Sequence, residues 1–576
     1  MNRGASPSVQ PAMRFALILG VGAALLGAVT PAAPRLAAQA RAARLTPATV
    51  AGLAPAWTYD TKESMEPVAP WKRKPAFEAT PVYADGRLYL STPGGLVIAL
   101  DAETGSEAWR TDLKVDKGLN YGDFANRGVT VAGDRIYVGT PDARLACLVR
   151  ASGAMCDGFG TAGLVPLDTG LRRGPRWKGE IAISSPPAGE SAGAANTWSR
   201  ITADPEHGLV FLPVGSASPD YFGGLRPGDN RYANAVVALR AATGTVVWAF
   251  QTVHHDIWDY DVASPPLLFP GKGAPSVAVG SKTGHLFLFD RLTGKPHFPI
   301  VERPVPASDV PEEKAWPTQP FPTSPRSLIA QTVTEADVWG ATPAEREACL
   351  ATFRSLRYDG VFTPPSLKGS LHLPGSIGGL HWGGMAWDPA DRLIIAPVNR
   401  LAAIIKLIPR AQFGEARRSS GRAQTTEQDG TPYGMSREFF ISPAGRPCLS
   451  PPWGELVAVK ADTGEIAWRT TLGDLSEPVQ LPAGTASPGS PNLGGPVVSA
   501  GGLVFIGATI DPYLRAFDAK TGAERWKARL STSARATPVV YTTPSGREMV
   551  AIAAGGHDTP LSKPGTLIHA FALPKD

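Results

Sequence analysis

Apolar residues along this chain come in short runs closed by Gly-, Asp- or Pro-containing turns, and rarely in the three-and-four spacing of an amphipathic helix. One phrase recurs. VIALDAETGSEAW (97–109), VVALRAATGTVVW (236–248), LVAVKADTGEIAW (456–468) and LRAFDAKTGAERW (514–526) each read as strand, Thr-Gly turn, strand. LFLFDRLTGKPHF (286–298) and LACLVRASGAMC (145–156) are weaker copies. An aromatic follows the turn glycine by four residues at Trp109, Trp248, Phe298, Trp468 and Trp526. A further strand with its own turn precedes several copies, as in DGRLYLSTPGG and GGLVFIGATIDP.

Strand, turn, strand, turn, strand is an antiparallel meander, and the copies ending at Trp109 and Cys156 lie 47 residues apart and those ending at Trp248 and Phe298 lie 50 apart, the length of one propeller blade. One such sheet buries too little apolar surface to stand alone, whereas a radial array lets neighbours cover each other's faces. The pattern predicts an all-β fold, a β-propeller with a Trp wedged between blades. The final strands would close the ring with the N-terminal APAWTYD, hiding edges that would otherwise aggregate. Residues 299–379 and 409–455 lack the repeat and read as excursions over one face, with a short helix near TPAEREACLATFRSL.

Ring closure gathers loops from many blades on one axis, so a site there draws on residues far apart in sequence. QTVHHDIWDYD (251–261) is the richest such loop: His254, His255, Asp256, Asp259 and Asp261 crowd eleven positions just past a strand. Taken singly, each acid there reads as a turn cap. Other polar residues recur beside strands at 78, 127, 198, 218, 282 and 557.

Charge and composition change this picture little. A formal net charge of +5 is mild for 576 residues and scattered, so nucleic-acid binding has no support. Residues 1–40 carry a basic start (Arg3, Arg14), the apolar run FALILGVGAALLGAV and Ala38-Gln39-Ala40, which reads as an export signal; an uncleaved anchor is the alternative. Removal of that signal would leave a periplasmic propeller domain over 41–576, soluble or peripheral to the membrane, without a transmembrane segment of its own. Of four cysteines, Cys349 and Cys448 in the long excursions are the preferred disulfide, while Cys147 reads as a buried strand residue. No CxxC or CxxCH occurs, so thiol zinc and attached haem are not indicated.

With HHDIWDYD, the AxDxxTGxxxW repeats and SKTGHLFLFDR together, the chain resembles the pyrroloquinoline-quinone (PQQ) dependent dehydrogenases, in the glucose-dehydrogenase-like branch. The resemblance covers roughly 50 to 574 and implies an eight-bladed propeller with PQQ on the axis beside Ca2+ or Mg2+. It implies oxidation of an aldose or polyol, with electrons passed to a membrane quinone or a cytochrome. Asp259 matches the family's general base and metal neighbour, and Lys282 of SKTG its donor to the quinone oxygens. Arg127 of ANRG matches an arginine for the cofactor carboxylates, Glu78 of FEATP an acid bonded to the cofactor, and Trp198 of NTWSR the stacking indole. Ser218 of GSASPD stands for a metal ligand, His557 of AAGGHD for a histidine near the sugar, and His381 with Trp382 of GLHWGG for cofactor neighbours. These types suit the chemistry: a flat trianion needs an aromatic face and planar guanidinium, and a hard cation needs oxygen donors.

Three departures bear on this. Relatives carry a further blade, with an acidic metal ligand, where EIAISSPPAGESAGAANTWSRI runs directly from Pro187 to Trp198. About seven blades are therefore expected, with a metal site short of one acid and Glu180 or Glu190 as nearest substitutes. Second, the cysteine pair of alcohol-oxidising members is absent from NYGDFAN (120–126). Third, His381 replaces a common Asn. The competing readings are a PQQ alcohol dehydrogenase, a non-catalytic propeller scaffold, and a decayed enzyme with an impaired metal site.

Overall fold

Each recurring phrase folds as two strands whose burial differs sharply. Leu96–Asp101 is buried on both faces, whereas Glu107–Asp112 alternates exposed with half-buried residues and keeps Trp109 on the inner side. That is the signature of a strand sandwiched between sheets followed by a strand at an outer edge. A computed structural model describes residues 43–68, 74–121, 123–168, 195–476, 478–482, 487–557 and 561–574. Among them, six four-stranded meanders and one three-stranded sheet (Leu267–Pro270, Pro275–Gly280, Leu286–Asp290) form seven blades of a propeller. The last blade is completed by the first strand: Ala54–Asp60 pairs antiparallel with Leu567–Ala572, which closes the ring as the sequence predicts. First strands of successive blades pack directly on one another at six joins, including the closing one. The second and third blades are joined through 169–194, so Glu180 and Glu190 lie outside the described residues, as does the export signal.

The repeated turn explains the repeated Trp. In Leu286–Asp290 and the turn after it, Asp290 Oδ1 accepts from Leu292 N (2.9 Å), Thr293 N (2.9 Å) and Thr293 Oγ1 (3.0 Å). The chain then reverses at Gly294, whose φ of +72° favours glycine; a Cβ there would lie 2.6 Å from the Trp248 ring. Trp248 of the preceding blade donates its indole N–H to the Arg291 carbonyl at 3.0 Å. Trp109, Trp468 and Trp526 make the same bond to the next blade, at Arg150, Ala519 and Leu53, and Trp57 makes it to Ala102. Each indole thus bolts one blade to the next. Trp248→Phe keeps most of the packing but strands the carbonyl, so a loss of about 1–3 kcal/mol is expected. Urea denaturation of the two proteins checks this; an unchanged midpoint would mean that the bond carries no weight.

The excursions are structured. Helix α1 (Pro343–Ser355) starts at Thr342, whose Oγ1 accepts from Glu345 N at 3.2 Å. Ser370–His372, Ala403–Pro409, Tyr433–Phe439 and Gln424–Glu427 form a separate four-stranded sheet, with α2 (Arg410–Arg418) against it. Cys349 and Cys448 form a disulfide, as preferred from the sequence. Cys147 does not stay a lone buried residue. It is bonded to Cys156, because the Ser-Gly turn folds the chain back and Cys156 N donates to Cys147 O at 2.9 Å.

Candidate active site

Two short strands place the first pair of polar side chains. Ala76–Thr80 and Ala125–Gly128 run parallel, with Phe77 opposite Asn126, which sets Glu78 beside Arg127. Glu78 is buried and clamps two guanidiniums: Arg127 Nε at 2.9 Å and Arg535 Nη1 at 3.0 Å. Removing such a partner would leave two buried cations facing each other, a large penalty in a low dielectric.

The acidic loop divides its labour. Asp256 is buried as an organiser, accepting from Trp258 N (3.0 Å), Tyr260 N (3.0 Å), Ser216 Oγ (2.5 Å) and Asn234 Nδ2 (3.0 Å). Trp258 Nε1 donates to Thr363 O at 2.8 Å, and His255 Nε2 lies 3.0 Å from Glu313, so the 299–379 excursion grips the loop from outside. Asp259 and Asp261 instead turn to Lys282, whose Nζ sits 3.0 Å from Asp259 Oδ1 and 2.6 Å from Asp261 Oδ2. Asp259 holds a φ of +61°, a left-handed conformation that Asp and Asn adopt more readily than other L-residues.

Trp198 joins the two halves. Its ring centroid lies 5.6 Å from the Arg127 guanidinium and 5.8 Å from Lys282 Nζ, while Trp382 lies 4.8 Å from the same guanidinium. His381 is buried beside Trp382, and its Nε2 lies 2.9 Å from Asn492 Oδ1. His557, with Arg535, lines a cavity of about 80 Å3. Burial lowers His381 to about 4 and His557 to about 3, so both are neutral near pH 7 and act through hydrogen bonds rather than charge. Thus Glu78, Arg127, Trp198, Asp259, Lys282, His381, Trp382 and His557, scattered over most of the chain, meet in one region.

Ser218 does not join them. It is exposed, while Ser216 two residues earlier faces inward, its N–H held by Asp261 Oδ1 at 2.6 Å and its hydroxyl by Asp256. Asp220, Tyr221, Asp261, Arg437 and Arg535 carry no assignment from the sequence, yet all belong to this neighbourhood. Asp261 had a signal, since it shares the acidic loop with Asp259, two residues before it; Arg437 had none.

The electrostatics are strained toward negative charge. Burial raises the Asp259 carboxyl well above its usual range; Lys282 opposes this, and Asp261 and Asp220 add to it. Burial also works against ionised Asp261, but Lys282 and the Ser216 N–H together hold it below the usual value. Asp220, pushed up to about 6 by burial and by Asp261 and Asp256, has no hydrogen-bond or ion-pair partner among the described residues. Burial disfavours the charge on Lys282 too, yet its two carboxylates outweigh this and raise it.

This donor set suits a hard divalent cation in chemistry. In arrangement it does not yet gather: Lys282 bridges the two aspartates that a cation would share. The described group with three ligand atoms within 4.8 Å of one another is elsewhere, at Asp204, Glu206 and His207, and Arg291 already pairs Asp204 there at 2.9 Å. Two indoles and two guanidiniums suit a flat, multiply anionic cofactor: Trp198 and Trp382 both lie against Arg127, and Arg127 with Arg535 exceeds Glu78 in charge.

A propeller that gathers two indoles and two guanidiniums beside a paired Asp and Lys has the architecture of a quinoprotein dehydrogenase. The chain matches the family model "PQQ: Glucose/ethanol/alcohol dehydrogenase, beta-propeller domain" over residues 37–191 and 188–550, and it belongs to that family. It is 32% identical to the quinate/shikimate dehydrogenase (quinone) of Acinetobacter baylyi, covering 86% of this chain and 73% of that protein. It is also 32% identical to the quinoprotein glucose dehydrogenase of Escherichia coli, covering 92% and 76%. The solved quinohemoprotein alcohol dehydrogenase of Comamonas testosteroni superposes with a TM-score of 0.60 at 22% identity, over 93% and 79% of the two chains, a likeness of fold.

Proposed function

We propose that this protein is an exported dehydrogenase that uses PQQ to oxidise a hydroxyl of an aldose or polyol and passes the electrons to a membrane quinone or a cytochrome. The Asp259–Lys282 pair at 3.0 Å, beside Trp198 and the Arg127 guanidinium that lies against both Trp198 and Trp382, carries the reading. Relatives named for quinate, glucose and glycerol oxidation share 31–33% identity with the chain, against 25% for the quinohemoprotein alcohol dehydrogenase, which favours a polyol over a simple alcohol. Two disulfides suit an oxidising compartment, and no described helix is long and apolar enough to cross a membrane.

Bound PQQ would supply the two-electron acceptor; the chain supplies the rest. Arg127, with Glu78 fixing its plane, would take a cofactor carboxylate, and Trp198 and Trp382 would offer aromatic faces to its ring system. Asp259 Oδ2, the oxygen turned away from Lys282, would accept the proton of the substrate hydroxyl. Lys282 would donate to oxygen as negative charge grows there, a role that needs its raised affinity for the proton. His557 and His381 would orient hydroxyl and carbonyl groups without adding charge. Asp259, Asp261 and Asp220, with Ser216, would hold a divalent cation.

That cation has to compete with Lys282, so weak binding that a chelator reverses is expected, and Asp220→Asn should weaken it at least tenfold. Calorimetry of Ca2+ into the PQQ-loaded protein checks both; tight binding unmoved by Asp220→Asn would exclude Asp220 as a ligand. The function itself is tested by reconstitution with PQQ and Ca2+ or Mg2+ and dye-linked oxidation of aldoses, polyols and alcohols. Bound PQQ with no dye reduction on any of them would overturn it.

A further inference from the structure

Arg437 stands beside the base for no reason that the chemistry above supplies. It lies on Tyr433–Phe439 in the excursion sheet, opposite Gln424 on one side and Ile405 on the other. The cross-strand bond from Arg437 Nη2 to Gln424 Oε1, at 2.7 Å, fixes its direction. The sheet is seated on the site by an apolar cluster that includes Tyr221, Phe222, Val310, Ile405 and Met435. From there Nη1 reaches the Tyr221 hydroxyl at 3.2 Å and Asp259 Oδ2 at 3.5 Å. The side chain is 29% exposed, more open than Lys282 at 9% and Asp261 at 7%.

Neutralising the Asp259, Asp261 and Asp220 cluster accounts for only part of this arginine. Lys282 already meets Asp259 through the inner oxygen at 3.0 Å, whereas the Arg437 contact is long and falls on Oδ2, the oxygen that must take a proton. A cation at that oxygen weakens it as a base. A guanidinium has five N–H donors; here Gln424 and Tyr221 take two and Asp259 loosely takes part of another, which leaves donors for a ligand.

We propose, resting on the dehydrogenase reading above, that Arg437 binds the carboxylate of an anionic substrate, so that the enzyme oxidises a hydroxy acid in preference to a neutral sugar. A hydroxyl within hydrogen-bond reach of Asp259 Oδ2 lies within roughly 6 Å of the guanidinium, so a carboxylate a few bonds from the reacting carbon can reach it. A planar carboxylate matches the fork of an arginine, and the pairing is charge-assisted. When it engages, the guanidinium shifts from Asp259 to the substrate and the base regains strength as substrate arrives. The reaction balances as a two-electron oxidation: the hydroxyl proton would pass to Asp259, bound PQQ would supply the two-electron acceptor, and an oxo acid (from a secondary alcohol) or a lactone (from an aldose) would leave with the carboxylate unchanged.

The test uses the PQQ-reconstituted enzyme and two matched pairs, quinate with myo-inositol and D-glucuronate with D-glucose, with glucose 6-phosphate as a tetrahedral anion. The wild type is expected to show kcat/KM at least tenfold higher for the acid of a pair. Arg437→Gln should reduce that preference at least tenfold, chiefly through KM, and Arg437→Lys should restore part of it. Methyl quinate, which keeps the hydroxyls and lacks the charge, gives the same comparison on the wild type should the variants fail to fold. Equal loss for acid and neutral substrates would overturn the assignment by showing that Arg437 acts only through Asp259. A wild type that prefers the neutral sugars, or the phosphate over the carboxylates, also overturns it while leaving the dehydrogenase intact. Oxidation of none of these or of other alcohols would bring down both.

Discussion

Asp259→Asn is expected to lower turnover by about 10²–10⁴-fold while the protein keeps its fold and its affinity for PQQ. The amide preserves the volume of the carboxylate and removes its ability to take a proton. Asn also accepts the left-handed backbone that residue 259 adopts at φ +61°, so no new strain enters. Lys282 remains anchored by Asp261 at 2.6 Å. Steady-state rates at saturating PQQ and cation, with PQQ binding measured in parallel, check the expectation; full activity in the variant would place the base elsewhere. Asp256→Asn offers the contrast. Its carboxylate receives Ser216, Asn234, Trp258 and Tyr260, so that change should loosen the loop and lower stability together with rate.

Loss of the Cys349–Cys448 bridge is expected to destabilise the excursions by about 4–5 kcal/mol, the chain-entropy value for a loop of about 100 residues. The sequence separation is 99, and the bridge ties α1 to the strand-like segment after Phe440 inside a small core that includes Val338, Leu350, Leu371 and Leu373. That core is too small to stand without a staple. The effect should reach catalysis, because the same excursions hold Trp258 through Thr363 and present Arg437 to Asp259. Urea denaturation of Cys349→Ser/Cys448→Ser, followed by near-ultraviolet circular dichroism, checks it; an unchanged midpoint would show that the excursions hold without the bridge. Cys147–Cys156 closes only a separation of 9 within one blade hairpin, and its removal should cost less.

What the sequence determined by itself was whatever rests on local chemistry repeated in register. The Thr-Gly turns with their Asp caps and following Trp are short-range devices, so the blades and the ring closure through APAWTYD could be read from residue order. Glu78, Arg127, Trp198, Asp259 and Lys282 were legible because a resemblance supplied their roles, and the fold brings them together. Tertiary structure decided what depends on which long-range surfaces meet. It turned Ser216 inward and Ser218 outward, since backbone and side-chain bonds to Asp261 and Asp256 two strands away select between two equivalent serines. It left Asp220 without a partner inside a negative cluster, a property of distance rather than of order. Arg437 shows the limit most plainly. It comes from an excursion without repeat or motif, and only the packing of that sheet on Tyr221 and Phe222 carries its charge to Asp259 Oδ2.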